Sequence, residues 1–179
     1  LIVTIAKVAL INNLAGLKSS NDLVSVIRSV NDSILSSISV KGMGLALQLC
    51  LIDSEKKLLT YTSCGMPYPM VYNFGQSRLS TLEMRQPPLG FFRQMKIEQK
   101  EVSFEKNHLL LLSSDGIFER FNLKKEEYGF ERFGRNVENH LQASSDLQQL
   151  LESIFTDTEH FSDATPNHDD MTALCARLG

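Results

Sequence analysis

Asn107-His-Leu-Leu-Leu-Leu-Ser-Ser-Asp-Gly-Ile-Phe-Glu-Arg120 is the stretch on which the fold turns. Its four consecutive leucines lack helical periodicity and stop at Ser-Ser-Asp-Gly, the pattern of a strand buried on both faces that ends in a turn. The turn sets Asp115 at the end of that strand. Gly116 lets the backbone bend there, and a carboxylate at the tip of a rigid buried strand is well placed to hold a hard cation. An Asp-Gly after an apolar run also makes an ordinary turn, so the metal reading needs a second acidic group brought to the same place.

Near the C-terminus Asn167-His-Asp-Asp-Met-Thr172 leads into Ala173-Leu-Cys-Ala-Arg-Leu178. Asp169 and Asp170 stand beside a short apolar strand, and a second buried strand would bring them to the same end of the core as Asp115. Like charges gathered there repel unless a cation or a proton compensates. Further motifs lie between and before these segments: Tyr128-Gly-Phe-Glu-Arg132, Tyr61-Thr-Ser-Cys-Gly-Met-Pro-Tyr-Pro69 and Pro88-Leu89-Gly90. In order and spacing the set resembles the SpoIIE-type, PP2C-like protein phosphatases of bacterial partner-switching pathways, along essentially the whole chain.

The resemblance implies an α+β fold, an αββα sandwich of two antiparallel sheets flanked by helices. It implies two Mg²⁺ or Mn²⁺ ions held by aspartates at strand ends, which activate water against a phosphoserine or phosphothreonine of a partner protein. By position Asp115 and Asp169 would be direct ligands and catalytic residues. Asp170 would be a supplementary ligand or would stand behind the direct ones, and Glu119 would belong to the local turn. The family also carries an upstream Gly-Asp-Val-Ser-Gly-His-Gly type motif whose Asp bridges the two metals. This sequence begins after that motif and lacks the family's first strands, so the expected site is incomplete, with weak or absent activity. Bare sheet edges would then favour a homodimer or a rearranged state.

Composition sets looser bounds. With 179 residues, 42% of them hydrophobic and 22% charged, the chain suits one ordinary globular domain, 1–179. A net charge of −3 without a basic run argues against nucleic acid as a principal partner. Cys50, Cys64 and Cys175 are odd in number and widely spread, and they read as core thiols of a reducing, cytoplasmic compartment.

The opening, Leu1-Ile-Val-Thr-Ile-Ala-Lys-Val-Ala-Leu-Ile11, is apolar almost all round but too short for a membrane span, and it predicts a buried helix to about Leu17. It has neither the basic n-region nor the cleavage site of a secretory signal, and the missing initiator Met predicts an excerpt from a longer protein. A second, amphipathic helix follows, with Ser20 or Asn21 as N-cap and Leu23, Val26, Ile27, Val30 and Ile34 on one face. In the resembled family such a helix pair, here 1–40, links the catalytic domain to an upstream sensor and acts as a switch. Two helices that only cover a sheet would carry the same pattern.

From 44 onward the texture is that of strands: a hairpin over 45–63 around Asp53-Ser-Glu-Lys56, strands at 69–74 and 79–82, and one or two more within 95–104. After Asp115 a short irregular piece precedes a helix over about 130–141, with Phe130, Phe133, Val137 and Leu141 on its buried face. The next helix has a capping-box pattern at Ser145 and Gln148 and a face of Leu147, Leu150, Leu151, Ile154 and Phe155. Residues 156–168 read as a polar loop. His108, His140 and His160 read as surface residues. His168, beside Asp169, reads as a loop residue, since nothing pairs it with a nucleophile, with the orienting of a ligand or substrate phosphate as the alternative.

Two function classes follow. One is a metal-dependent serine/threonine phosphatase domain acting on a phosphorylated regulatory protein such as an anti-sigma-factor antagonist. The other is a non-catalytic partner-binding or dimerisation module with a degenerate phosphatase fold. An unrelated metal-binding α+β domain is a third option, and it falls if the strands carrying Asp115 and Asp169 are not neighbours in the fold.

Overall fold

The computed structural model describes residues 1–15, 22–37, 42–163 and 165–179. In chain order the elements are α1 (Ile2–Leu14), α2 (Leu23–Ser37), β1 (Leu47–Asp53), β2 (Leu58–Cys64), β3 (Met70–Asn73), β4 (Arg78–Thr81), β5 (Lys100–Ser103), β6 (His108–Ser113), α3 (Asp115–Phe118), α4 (Gly129–Ala143), α5 (Leu147–Ser162) and β7 (Ala173–Leu178). They fall into two compact units: Leu1–Met66 with Met84–Phe104, and Pro67–Glu83 with Glu105–Gly179. Each unit holds one antiparallel sheet with helices on it, the α+β architecture expected.

In the first unit the sheet order is β1-β2-β5. β1 and β2 form the hairpin, in register from Leu47 opposite Cys64 to Asp53 opposite Leu58. Its turn is closed by the Asp53 carboxylate, which accepts from the Lys56 N–H at 2.9 Å, and by Lys57 in the left-handed region at φ 51°. Leu23, Val26, Ile27, Val30 and Ile34 of α2 are all buried, as their spacing predicts, and Ile27, Val30 and Ile34 pack with Ala6, Ala9, Cys64, Leu89 and Ile97. Asn31, 1% exposed, is buried among them because its amide is satisfied at both ends: Nδ2 donates to the Phe92 carbonyl and Oδ1 accepts from the Gly90 N–H. Within 95–104 only β5 is a strand.

Helix α1 departs from expectation. It ends at Leu14, and of its residues only Ala6 and Ala9 are buried, while Leu1, Val3, Val8, Ile11 and Leu14 are exposed. An all-round apolar helix has no preferred face, so its contact with α2 is chosen by the small residues that permit close approach. The N-cap expected at Ser20 or Asn21 lies outside the described residues.

In the second unit the order is β4-β3-β6-β7, which gives β6 a neighbour on each side. Leu109, Leu110 and Leu111 are at most 2% exposed, so the leucine run is the inner strand that its composition demanded. The core below it gathers Tyr72, Ile117, Phe118, Phe133, Val137, Leu141, Leu150 and Ile154. On α4, Phe133, Val137 and Leu141 are buried as predicted, whereas Phe130 is 53% exposed and lies stacked on Phe118 with ring centroids 4.0 Å apart. Glu138 of α4 accepts from the Leu79 N–H of the edge strand β4 at 2.9 Å, satisfying a donor that sheet pairing leaves over.

Helix α5 corrects two readings. Its cap is Asp146, whose carboxylate accepts from the N–H groups of Gln148 and Gln149 at 2.9 and 3.2 Å, and not Ser145. It also runs to Ser162, so the segment read as loop from 156 is helix for two more turns, with Thr158 and Ser162 buried. Thr158 can be buried because its hydroxyl donates to the Ile154 carbonyl. Polar composition misled here because those polar groups are satisfied within the helix.

All three cysteines are free; Cys64 is buried and Cys50 and Cys175 are half-buried, so one of the three is a core thiol in full. His140 and His108 are half-buried rather than surface residues, and the His140 Nε2 is sealed without a partner among the described residues.

Two stability predictions follow from these positions. Asp146→Ala should cost about 1 kcal/mol in urea unfolding and Ser145→Ala close to nothing, because only the former removes acceptors from the helix start. Burial pushes the Cys64 thiol from 9.0 up to about 11. Between those values the unfolded chain releases a proton that the folded chain keeps, so stability falls as pH rises through this window. Cys64→Ala should flatten that part of the stability profile.

Candidate metal centre

The pairing of β6 with β7 runs from His108 opposite Leu178 to Ser113 opposite Ala173. Just beyond it the two chains stay joined. The Ser114 N–H donates to the Thr172 carbonyl at 2.9 Å, the Thr172 N–H donates to the Ser114 hydroxyl at 2.9 Å, and that hydroxyl donates to the Asp170 carbonyl at 2.9 Å. One serine side chain thus holds the acidic loop against the Asp-Gly turn.

Gly116 completes the contact. A Cβ at this position would lie 2.6 Å from the Asp170 carbonyl oxygen and 3.3 Å from that of Asp169, so only glycine admits the acidic loop so close. Asp115 and the Asp169-Asp170 pair therefore sit on abutting segments at one end of one sheet. The strands that lead to them, β6 and β7, are neighbours in the sheet.

Asp115 opens α3, a single turn with Ile117 and Phe118 buried beneath it. Phe118 is held between Phe130, stacked at 4.0 Å, and Phe133, edge-on at 4.9 Å. This wedge fixes the turn from the core side. The Asp115 Oδ1 accepts from the Gly116 N–H at 3.1 Å, and the Asp169 Oδ1 accepts from the Asp170 N–H at 2.7 Å. Asp115 is half-buried, while Asp169 and Asp170 are exposed. Among the described residues no three His, Cys, Asp or Glu side chains converge as a ready metal cage. The donors are hard carboxylate oxygens on adjoining loops, which fits part of the oxygen shell that Mg²⁺ or Mn²⁺ takes.

The remaining sequence candidates are placed as follows. Glu119 is exposed, and its N–H closes α3 on the Asp115 carbonyl at 2.9 Å, the local turn role expected. His168 is exposed in the loop before Asp169. In Tyr128-Gly-Phe-Glu-Arg132, the Tyr128 hydroxyl donates to Asp157 at 2.6 Å, and burial together with that carboxylate pushes the phenol well above its ordinary range. The Arg132 guanidinium lies 4.4 Å from the Phe161 ring centroid, so this motif joins α4 to α5 rather than reaching the acidic loops. Ser114 was missed by sequence reasoning, although its place in Ser-Ser-Asp-Gly at a strand end was a signal for a side chain that bonds backbone.

Gly116→Ala should therefore act on the loop more than on the core. Its Cβ must push Asp170 away, with a cost of about 1–3 kcal/mol and faster amide hydrogen exchange at Asp170 and Thr172. Ser114→Ala, which deletes both side-chain bonds across the junction, should show the same exchange pattern. Unchanged exchange in both variants would mean that this junction does not hold the loop.

Comparison with known proteins bears on this geometry. The family model described as Stage II sporulation protein E (SpoIIE) matches residues 2–179. No curated protein sequence matches the chain. Among solved structures the chain is similar to the SiaA-PP2C domain of Pseudomonas aeruginosa, with a TM-score of 0.86 and 16% identity over 99% of this chain and 69% of that one. It is similar to the PP2C phosphatase domain of SpoIIE from Bacillus subtilis with a fragment of its regulatory domain, with a TM-score of 0.78 and 20% identity over 98% of this chain and 49% of that one. A Mn-presoaked structure of the Bacillus subtilis SpoIIE phosphatase domain gives a TM-score of 0.63 and 16% identity, covering 99% of this chain and 73% of that one. The chain thus spans between half and three-quarters of the length of these structures. Two antiparallel sheets with flanking helices, an Asp-Gly turn at the end of the inner strand and a family match across nearly every residue lead to one conclusion: the chain belongs to the SpoIIE family and has the fold of PP2C phosphatase domains.

Proposed function

We propose that this domain takes part in the metal-dependent removal of phosphate from phosphoserine or phosphothreonine on a regulatory partner protein in bacterial signalling. The observation that supports it best is the junction of Ser114 with Asp170 and Thr172, which lays the Asp115 turn against the acidic pair. Asp115 and Asp169 would hold Mn²⁺ or Mg²⁺, with Asp170 as a supplementary ligand. When bound, such ions lower the pKa of water and offset charge on the transferring phosphoryl group. The chain's own residues bind and orient: Ser114 fixes the distance between the loops, and Gly116 keeps that distance short. The Mn presoak of the Bacillus subtilis SpoIIE domain supports the choice of metal.

Three carboxylates shared between two six-coordinate ions leave most positions to water, so these residues alone should bind metal weakly and turn over slowly. A further carboxylate from the upstream motif that the family resemblance implies would complete the shell. In the same reading α1 and α2 form a switch element between an upstream sensor and the catalytic core, and the partner is a phosphorylated protein such as an anti-sigma-factor antagonist. The setting would be cytoplasmic. Among the described residues no helix is long and apolar enough to cross a membrane. The edge strand β1 and the exposed side of α1 offer surfaces for a homodimer, which light scattering behind size-exclusion chromatography would detect.

The test is Mn²⁺ binding by calorimetry with p-nitrophenyl phosphate hydrolysis, on this chain and on a version extended upstream. The extended form should bind metal tightly and turn over, and this chain should do both feebly. Asp115→Asn in the extended form should drop Mn²⁺-dependent hydrolysis to background with the melting temperature little changed. Absence of metal binding in both forms would overturn the enzyme reading in favour of a non-catalytic partner-binding or dimerisation module.

A further inference from the structure

Arg120 is 8% exposed, yet among the described residues no carboxylate accepts from it. A buried guanidinium is costly unless its donors are satisfied; Nε is sealed without a partner among the described residues, and the acceptors of the two terminal nitrogens come from one short segment. Nη1 donates to the Pro166 carbonyl at 2.6 Å; Nη2 donates to the Thr165 carbonyl at 2.6 Å and to the Ser162 hydroxyl at 3.0 Å. Beside it the Thr165 hydroxyl donates to the Phe121 carbonyl at 2.6 Å. Two consecutive residues, 120 and 121, are thereby stapled to the end of α5 and the start of the loop that follows. Charge-assisted bonds of this kind are shorter and stronger than neutral ones.

We propose that Arg120 is a positioning residue for the acidic loop: by gripping the Ser162 hydroxyl and the Thr165 and Pro166 carbonyls, it fixes where Asp169 and Asp170 stand relative to Asp115. Only Asn167 and His168 separate Pro166 from Asp169. On the far side of the pair, Thr172 is held by Ser114. The acidic loop is therefore clamped at both ends, and both clamps belong to one short stretch, 114–120, that also carries Asp115. A loop closed over so few residues has little freedom left to lose when its carboxylates take a ligand. A lysine could not do the same, since one ammonium lacks the planar fork that meets several acceptors in fixed directions. A purely structural role would tie Arg120 to the core. Two of these three bonds end on carbonyls of the segment leading to the acidic pair, and the third ends on Ser162, the last residue of α5.

The metal half of this inference rests on the phosphatase reading above; the loop half does not, and the experiment separates them. In the full chain, wild type, Arg120→Gln, Arg120→Lys and Thr165→Val are compared by amide hydrogen exchange. Mn²⁺ titration is then followed by paramagnetic broadening of amide resonances, which registers weak binding. Arg120→Gln should speed exchange at Asp170 and Thr172 while leaving Leu110 and Leu111 of β6 at wild-type rates. It should weaken Mn²⁺ binding about tenfold or more, the usual effect of losing a residue that orients metal ligands. Arg120→Lys should recover part of both effects. If Arg120→Gln does not fold, Thr165→Val, which removes a single hydrogen bond, should give the same pattern at smaller size. Wild-type exchange at Asp170 and Thr172 in the folded variants overturns the proposal, and so does faster exchange with unchanged Mn²⁺ affinity. If the wild type itself shows no broadening around Asp169, this chain alone does not hold the ion, the phosphatase reading is decided by the upstream-extended form, and the exchange data alone decide whether Arg120 sets the loop.

Discussion

The second unit depends on the pairing of β6 with β7. It sets the C-terminal strand antiparallel to the leucine strand and ends at Ser113 opposite Ala173, so that the next residues of both strands leave the sheet at the same point. At that point backbone pairing gives way to side-chain pairing through Ser114. A slip of register by one residue would turn every side chain of β7 to the other face and would part Ser114 from Thr172. Burial guards against that slip, because Leu109, Leu110 and Leu111 allow almost no exposure on either face.

Around this junction the supports come from different parts of the unit. Phe118 anchors the Asp115 turn to α4 through Phe130 and Phe133. Arg120 reaches the end of α5, and α5 is longer than its polar C-terminal half suggested, so its last turn arrives where the guanidinium can meet it. The exposed half of the aromatic wedge, Phe130, is thus a support for the acidic turn rather than a core residue that failed to be buried. The same economy appears in the first unit, where the buried Asn31 amide ties α2 to the segment 90–92 by bonds at both of its ends.

The candidate site has the character of a surface feature on a rigid frame. Asp115 is half-buried and Asp169 and Asp170 are exposed, while bonds of 2.9 Å to the Ser114 hydroxyl hold the Asp170 carbonyl and the Thr172 N–H across the junction. Hard carboxylate oxygens on adjoining loops are the donor type that Mg²⁺ or Mn²⁺ takes.

Much of this was legible in the linear chain, and for identifiable reasons. The leucine run, the Asp-Gly break, the β1–β2 hairpin and the buried face of α2 are local patterns whose period or punctuation follows from backbone geometry. The resemblance of separate motifs in the right order added the sheet arrangement and the acidic residues. Other features depend on which groups meet across long sequence separations, and no local pattern encodes those. Asp146 rather than Ser145 caps α5, and α5 continues past 156 because Thr158 and Ser162 find acceptors inside their own helix. α1 is exposed along one side because a helix apolar all round carries no instruction about which face to bury. By itself the sequence determined the inner leucine strand, the β1–β2 hairpin and the buried face of α2, since these follow from burial and turn chemistry, while the resemblance singled out Asp115, Asp169 and Asp170 as candidates. Only the tertiary structure decided that Ser114, Gly116 and Arg120 hold the acidic loop, because their partners lie 42 to 58 residues away along the chain and become neighbours only once β6 and β7 have paired.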